Sequence, residues 1–109
     1  MRAASVAAVA VVALVLAGCG GSSAPPRHRI HLTAFEKAGR ALFILECGTC
    51  HTLADAGTGG IVGPDLDSPP RHASQVRKTI ANGFGQMPPV QLTARKVAAI
   101  AAYVAAATK

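Results

Sequence analysis

The reactive side chains of this 109-residue chain gather in one pentapeptide, Cys47-Gly48-Thr49-Cys50-His51. Two thiols stand three positions apart, and an imidazole follows the second directly. That arrangement is the attachment signature of a c-type haem. One short turn of backbone presents both thiols to the two vinyl groups on one edge of a porphyrin. The next side chain is then directed under the iron, where a neutral imidazole coordinates. Gly48 and Thr49 are small enough for the turn to lie flat on the macrocycle. Two other readings use the same residues. A redox dithiol follows a strand in a βαβ pattern and opens a helix, whereas this motif follows a helical segment in a chain without a strand-rich pattern. A structural zinc site needs four Cys or His ligands, usually as two spaced pairs, and the one remaining cysteine is Cys19.

A second soft donor lies downstream. Met87 sits in Gly83-Phe84-Gly85-Gln86-Met87-Pro88-Pro89. A lone Met is normally core filler, but filler is not expected on an irregular Gly/Pro-rich loop. A thioether favours Fe(II) over Fe(III), so Met/His ligation raises the reduction potential. Met1 is the only other methionine, and it belongs to an export leader.

That leader runs over residues 1–18. Arg2 gives it a positive start, and Ala3 to Ala17 is almost entirely Ala, Val and Leu, the pattern of an export signal. Leu16-Ala17-Gly18-Cys19 resembles the bacterial lipobox. The resemblance implies acylation and cleavage at Cys19, and hence an anchor of two or three acyl chains, which holds where one does not. An uncleaved membrane span is the alternative, but the apolar run is short of the roughly 20 residues a span needs. Either route places the domain outside the cytoplasmic membrane, the side on which c-type haem is attached. Residues 19–32 read as a lipid-anchored flexible linker: Gly20 to Pro26 is flexible and then extended, and a basic Arg27-His28-Arg29-Ile30-His31 cluster follows. His28 and His31 have no CxxC partner and are not taken as ligands.

Residues 33–109 remain for one small domain. Half of the chain is hydrophobic but only 4% is aromatic, which leaves a thin core that a bound macrocycle would complete. The formal charge of +6 suits an acidic partner, and without a basic run interleaved with aromatics it does not suggest nucleic acid. Thr33 and Glu36 have the form of a capping box, opening a helix to about Glu46. Phe35, Gly39, Leu42, Phe43 and Glu46 fall on and beside one face of it. Gly39 predicts close approach by another helix. A Gly/Pro-rich loop covers Thr52 to His72. Ser74 is a candidate N-cap for a helix from Gln75 to about Asn82, ended by Gly83, with Val76 and Ile80 inward. Thr93 caps a last helix to about Ala107, with Val97, Ile100, Ala101 and Val104 as its apolar stripe.

The ordered set Cys47-Cys50-His51, Gly63-Pro64-Asp65-Leu66 and Met87-Pro88, with Gly39 and Phe43 one turn apart before it and Ile100 and Tyr103 after it, resembles the class I cytochromes c. The resemblance spans Thr33 to Lys109. It implies an all-α cytochrome c fold of three to four short helices around one covalent haem c, with the terminal helices crossing. It implies His51 and Met87 as axial iron ligands, the Pro64 carbonyl as acceptor for the histidine's free ring nitrogen, and Leu66 against the haem. From its position beside Arg71, His72 reads as solvent-exposed, with a sixth ligand or a partner for a haem carboxylate as the alternatives. Six-coordinate iron has no open position, so the expectation is a monomeric electron carrier and not an enzyme, serving redox partner proteins such as a terminal oxidase or dehydrogenase. If Met87 does not bind iron, the alternative is a gas or redox sensor, or a peroxidase-like enzyme.

Overall fold

The structure, a computed structural model, describes residues 30–108 together with 18, 20 and 21. Cys19, His28 and residues 1–17 lie outside the described residues, and the expectations for leader, lipid and most of the linker fall there. Three α-helices make the framework: α1 (Ala34–Glu46), α2 (Ala73–Asn82) and α3 (Ala94–Ala107). Among the described residues no helix is long and apolar enough to cross a membrane.

The start of α1 follows from its first four residues. The Glu36 amide donates to the Thr33 hydroxyl at 3.2 Å, and the Thr33 amide donates to the Glu36 carboxylate at 2.8 Å. Two of the helix's orphan donors are thereby satisfied. Its buried residues are Gly39 and Phe43. Phe35, expected on the inward side, is 40% exposed, and Glu46 is exposed too, so the buried stripe is narrower than the sequence pattern suggested. Thr93 caps α3 by accepting from the Lys96 amide, as expected. The start of α2 differs from expectation. His72, not Ser74, occupies the N-cap position, and no side chain caps it. Pro69 and Pro70 stiffen the approach but cannot continue a helix backwards. The helix begins as soon as they are cleared, which leaves Ser74 inside its first turn.

Sterics decide how α1 meets α3. A Cβ on Gly39 would strike the Ala99 carbonyl and come within 2.9 Å of the Tyr103 Cβ. Only a glycine lets the two backbones touch there. One turn on, the Phe43 and Tyr103 rings pack edge to face, with centroids 5.9 Å apart and planes at 63°, worth ~1 kcal/mol beyond the area they bury. Leu53, Ile80, Ile100 and Val104 complete this core.

Tyr103 is fully buried, yet its hydroxyl has a partner: it donates to Asp55 Oδ2 at 2.7 Å. Arg40 of α1 donates to the Asp55 carbonyl from Nε and Nη2, at 3.1 and 2.7 Å. One aspartate thus ties both crossing helices to the loop between them. Burial, and then the bond to Asp55, push the Tyr103 phenol above its usual range.

The loop after the pentapeptide is more ordered than its glycines and prolines suggested. It holds a two-stranded antiparallel hairpin, β1 (Thr52–Leu53) and β2 (Thr58–Gly59), with Thr52 opposite Gly59 and Leu53 opposite Thr58. A single 3-10 turn, Ala54–Ala56, joins the strands, and Gly57 follows at φ 68°. Two-residue strands are too short to show the alternation that would reveal them.

Candidate haem site

The pentapeptide leaves the end of α1 as a tight turn. The amides of Cys47 and Gly48 both donate to the Phe43 carbonyl, and those of Cys50 and His51 both donate to the Cys47 carbonyl. A Cβ on Gly48 would meet the Thr58 side chain at 2.6 Å, which explains the small residue there. The two thiols are free and differently placed: Cys47 is buried and Cys50 is exposed. Burial, then the nearby Glu46 and Cys50, push the Cys47 thiol up to about 11. A reactive dithiol needs the opposite shift, so the redox reading loses its chemical basis. Among the described residues no three His, Cys, Asp or Glu gather closely enough to hold a metal ion, so a zinc site lacks a ligand set there.

His51 is 8% exposed and held from several sides. Its Nδ1–H donates to the Pro64 carbonyl at 2.9 Å. That fixes the tautomer and leaves the Nε2 lone pair as the free donor. Its own carbonyl accepts from the Thr58 hydroxyl at 2.9 Å. Gly63 brings the loop back over the ring: its amide donates to the Cys50 carbonyl at 2.7 Å, and a Cβ there would run into the imidazole. Leu66 is half-buried, anchored by its amide to the Thr52 carbonyl at 2.9 Å.

Met87 lies across a shorter construction. Phe84 and Met87 exchange both backbone hydrogen bonds, at 3.0 and 2.9 Å. Gly85 and Gln86 form the tip, with Gly85 at φ 57°. Gly83 stands at φ 73°, so close to the returning strand that a Cβ would meet the Met87 carbonyl at 2.6 Å. The Val90 amide then ties the strand back to the Ile80 carbonyl of α2 at 2.9 Å. Met87 is itself half-buried.

These pieces share one cavity of about 390 Å³, within the ordinary range for a small-molecule site. Cys47, Cys50, His51, Pro64, Leu66 and Met87 all line it. Its walls are mainly apolar, with Phe43, Ile80 and Ile100 at the back and the exposed Val62 and Phe84 at the mouth. The residues fit a haem on three grounds. Two free thiols line the wall, an imidazole with a fixed tautomer presents its second nitrogen, and a glycine lets the following loop pack against that ring and hold it. His72 is exposed and is not part of the lining.

Comparison with known proteins agrees. The family model described as cytochrome C oxidase, cbb3-type, subunit III, matches residues 34–104. Among solved structures the chain is similar to the c-type cytochrome SorU from Sinorhizobium meliloti. The two are 40% identical with a TM-score of 0.64, over 69% of this chain and 93% of that one. No curated protein matches. A cytochrome c domain implies covalently attached haem c with its iron, a single haem is consistent with a chain of this size, and electron transfer is the general activity. The chain belongs to this family, as a monohaem class I c-type cytochrome.

Proposed function

We propose that this protein moves single electrons between extracytoplasmic redox partners, through one haem held by Cys47 and Cys50 and ligated axially by His51 and Met87. The observation that carries the reading is that all four side chains line one cavity. When bound there, the haem supplies an iron that takes up and releases one electron. The chain does the rest. Pro64 orients the His51 ring and fixes its tautomer. Phe43, Leu66, Ile80 and Ile100 keep water from the cavity wall. Pro88 and Pro89 stiffen the strand after Met87, which limits how far its sulfur can swing. Cys50 is exposed, and the exposed Val62 and Phe84 line the same cavity and offer apolar contact to a partner. A chain of charge +6 then favours weak, charge-steered docking of acidic partners, which rapid turnover requires. A terminal oxidase fits as acceptor, given the family model's description.

The same proposal puts the domain, residues 33–109, on the extracytoplasmic face of a bacterial cell membrane, at the periplasmic side or the cell surface. Cys19 carries the lipid after loss of residues 1–18, and residues 19–32 act as the tether. Cys19→Ser is expected to release the domain into the soluble fraction; retention on membranes would sink the lipid anchor.

Absorption spectra of the matured protein, oxidised and reduced, test the ligation. Haem bands with the weak near-infrared sulfur-to-iron band are expected. Haem bands without it would transfer the weight to an open-site sensor or peroxidase-like enzyme. Absence of haem bands would overturn the reading.

A further inference from the structure

A second groove lies between α1 and α3, and it shares no lining residue with the haem cavity. Phe35, Ala38 and Leu42 of α1 and Ala99 of α3 make its apolar floor, and Arg95 and Lys96 of α3 stand at it as cations. No carboxylate lines it. Phe35, Ala38, Leu42 and Leu45 fall at helical spacing on one face of α1. That face is not covered: Phe35 is 40% exposed and Leu45 74% exposed. An apolar stripe open along a helix marks a contact surface when its rim is polar.

Charge says what can cover it. Arg95 and Lys96 are exposed in the first turn of α3, the end at which the helix macrodipole opposes cations. They cost the helix stability there, and α3 has no acidic residue to offset them. Of the carboxylates on α1, Glu36 accepts the Thr33 amide, and Glu46 lies at the far end beside the pentapeptide. The occupant is therefore anionic as well as apolar. A second copy of this chain would set Arg95 and Lys96 against their like, because a twofold contact pairs a patch with itself. The basic stretch Arg27-His28-Arg29 is repelled in the same way. A bilayer containing anionic phospholipid offers both chemistries, phosphates for the cations and an interfacial layer that takes up an aromatic ring. It is also the nearest surface. The tether of the proposed function, residues 19–32, enters the domain at the start of α1, two residues before Ala34. A tether of that length spans roughly 20 Å, which keeps the membrane at high effective concentration.

We propose that the groove between α1 and α3 docks on the anionic phospholipid surface of the membrane that carries the tether, with Phe35 entering the headgroup layer and Arg95 and Lys96 against lipid phosphates. The proposal rests on the lipid anchor of the proposed function. It gives the tethered domain one orientation, and it uses none of the residues, Cys50, Val62 and Phe84, that meet redox partners in that reading.

The test uses the full chain, matured with haem and lipid and reconstituted on vesicles of phosphatidylcholine alone or with phosphatidylglycerol. The readout is the rate of amine acetylation at Lys96, set against the exposed Lys78 of α2. On anionic vesicles Lys96 is expected to react several-fold more slowly, with Lys78 unchanged, and high salt should weaken the protection. On neutral vesicles the two lysines should keep the ratio they have in detergent. Phe35→Ser and Arg95→Gln, both at exposed positions, should each restore the Lys96 rate. Slowing that persists in Phe35→Ser is the surface potential alone and overturns the docking. Equal slowing of both lysines, or none, overturns it too. Protection on neutral vesicles that grows with protein density gives the groove to a second copy. Protection found only in native membranes gives it to an acidic protein. Either result removes the bilayer as occupant. Flotation of the protein with the vesicles is read first. Failure to float overturns the lipid anchor and this proposal with it, whereas flotation with Lys96 unprotected counts against the groove alone.

Discussion

His51 and Met87 line the same cavity, but the chain restrains them differently. The His51 ring is buried, bonded at Nδ1 to Pro64 and roofed by Gly63, and its carbonyl is held by Thr58. Its aim is set before anything binds. Met87 is half-buried in a two-residue turn, and the hydrogen bonds that fix it are all to backbone. Its backbone is placed by those bonds, and its thioether has no hydrogen bond to match the one that holds the His51 ring. The difference separates two tasks. The histidine side assembles the site, and the methionine side adjusts what the site does.

His51→Ala gives the largest effect by this argument: loss of the holoprotein, read as haem per chain. Stoichiometric haem in that variant would end the distinction. Met87→Ala comes next and should behave differently. Haem content stays, the sulfur-to-iron band disappears and the potential drops, because a soft ligand no longer favours Fe(II). Loss of haem from this variant too would make the two sides equivalent.

Two glycines sharpen the comparison further. Gly63→Ala drives a methyl into the His51 ring and should destabilise the domain by about 3 kcal/mol, the upper range for overpacking. Gly85→Ala meets open space and suffers only from its positive φ, at about 1 kcal/mol. Denaturant unfolding of the two holoproteins measures both, and equal losses would contradict a tight proximal and a loose distal side.

Tyr103→Phe is the smallest change, made behind the cavity. Removing the bond to Asp55 should lower stability by ~1 kcal/mol. The pH dependence has a definite sign. A phenol raised in the folded state contributes fully below its unfolded value of about 10, and the contribution drains away as pH climbs toward the raised folded value. Unfolding above pH ~10 should therefore show an alkaline decline that Tyr103→Phe reduces. Matching alkaline curves for both proteins would remove Tyr103 from the account.

The features legible in the sequence were those written in nearby residues. Thr33 with Glu36, Gly83 after Asn82, and Thr93 before α3 each mark a helix end within three positions, and the structure has them all. The crossing of α1 and α3 was legible from the resemblance, through Gly39, Phe43 and Tyr103. What was hidden joins residues that no period connects. Arg40 and Asp55 are 15 positions apart, Tyr103 and Asp55 48, and Arg71 and Thr108 37. Their pairing depends on how the finished helices lie, which no local pattern records. At the site, the pentapeptide and Met87 stood out by residue type, whereas Arg71 reads in sequence as one more surface cation. Only its burial in the cavity wall sets it apart.

Gly39 makes the whole domain one closed ring of chain. Its contact with Ala99 and Tyr103 shuts a loop that contains Cys47, His51, Pro64, Arg71 and Met87. Until that contact forms, these residues have no common frame, and the entropy of closure rises only slowly with the length enclosed. Trimming the intervening loops would accordingly help little. A single methyl group added at position 39, which lines no part of the cavity, would hold the ring open and part the two faces of the haem site from a distance.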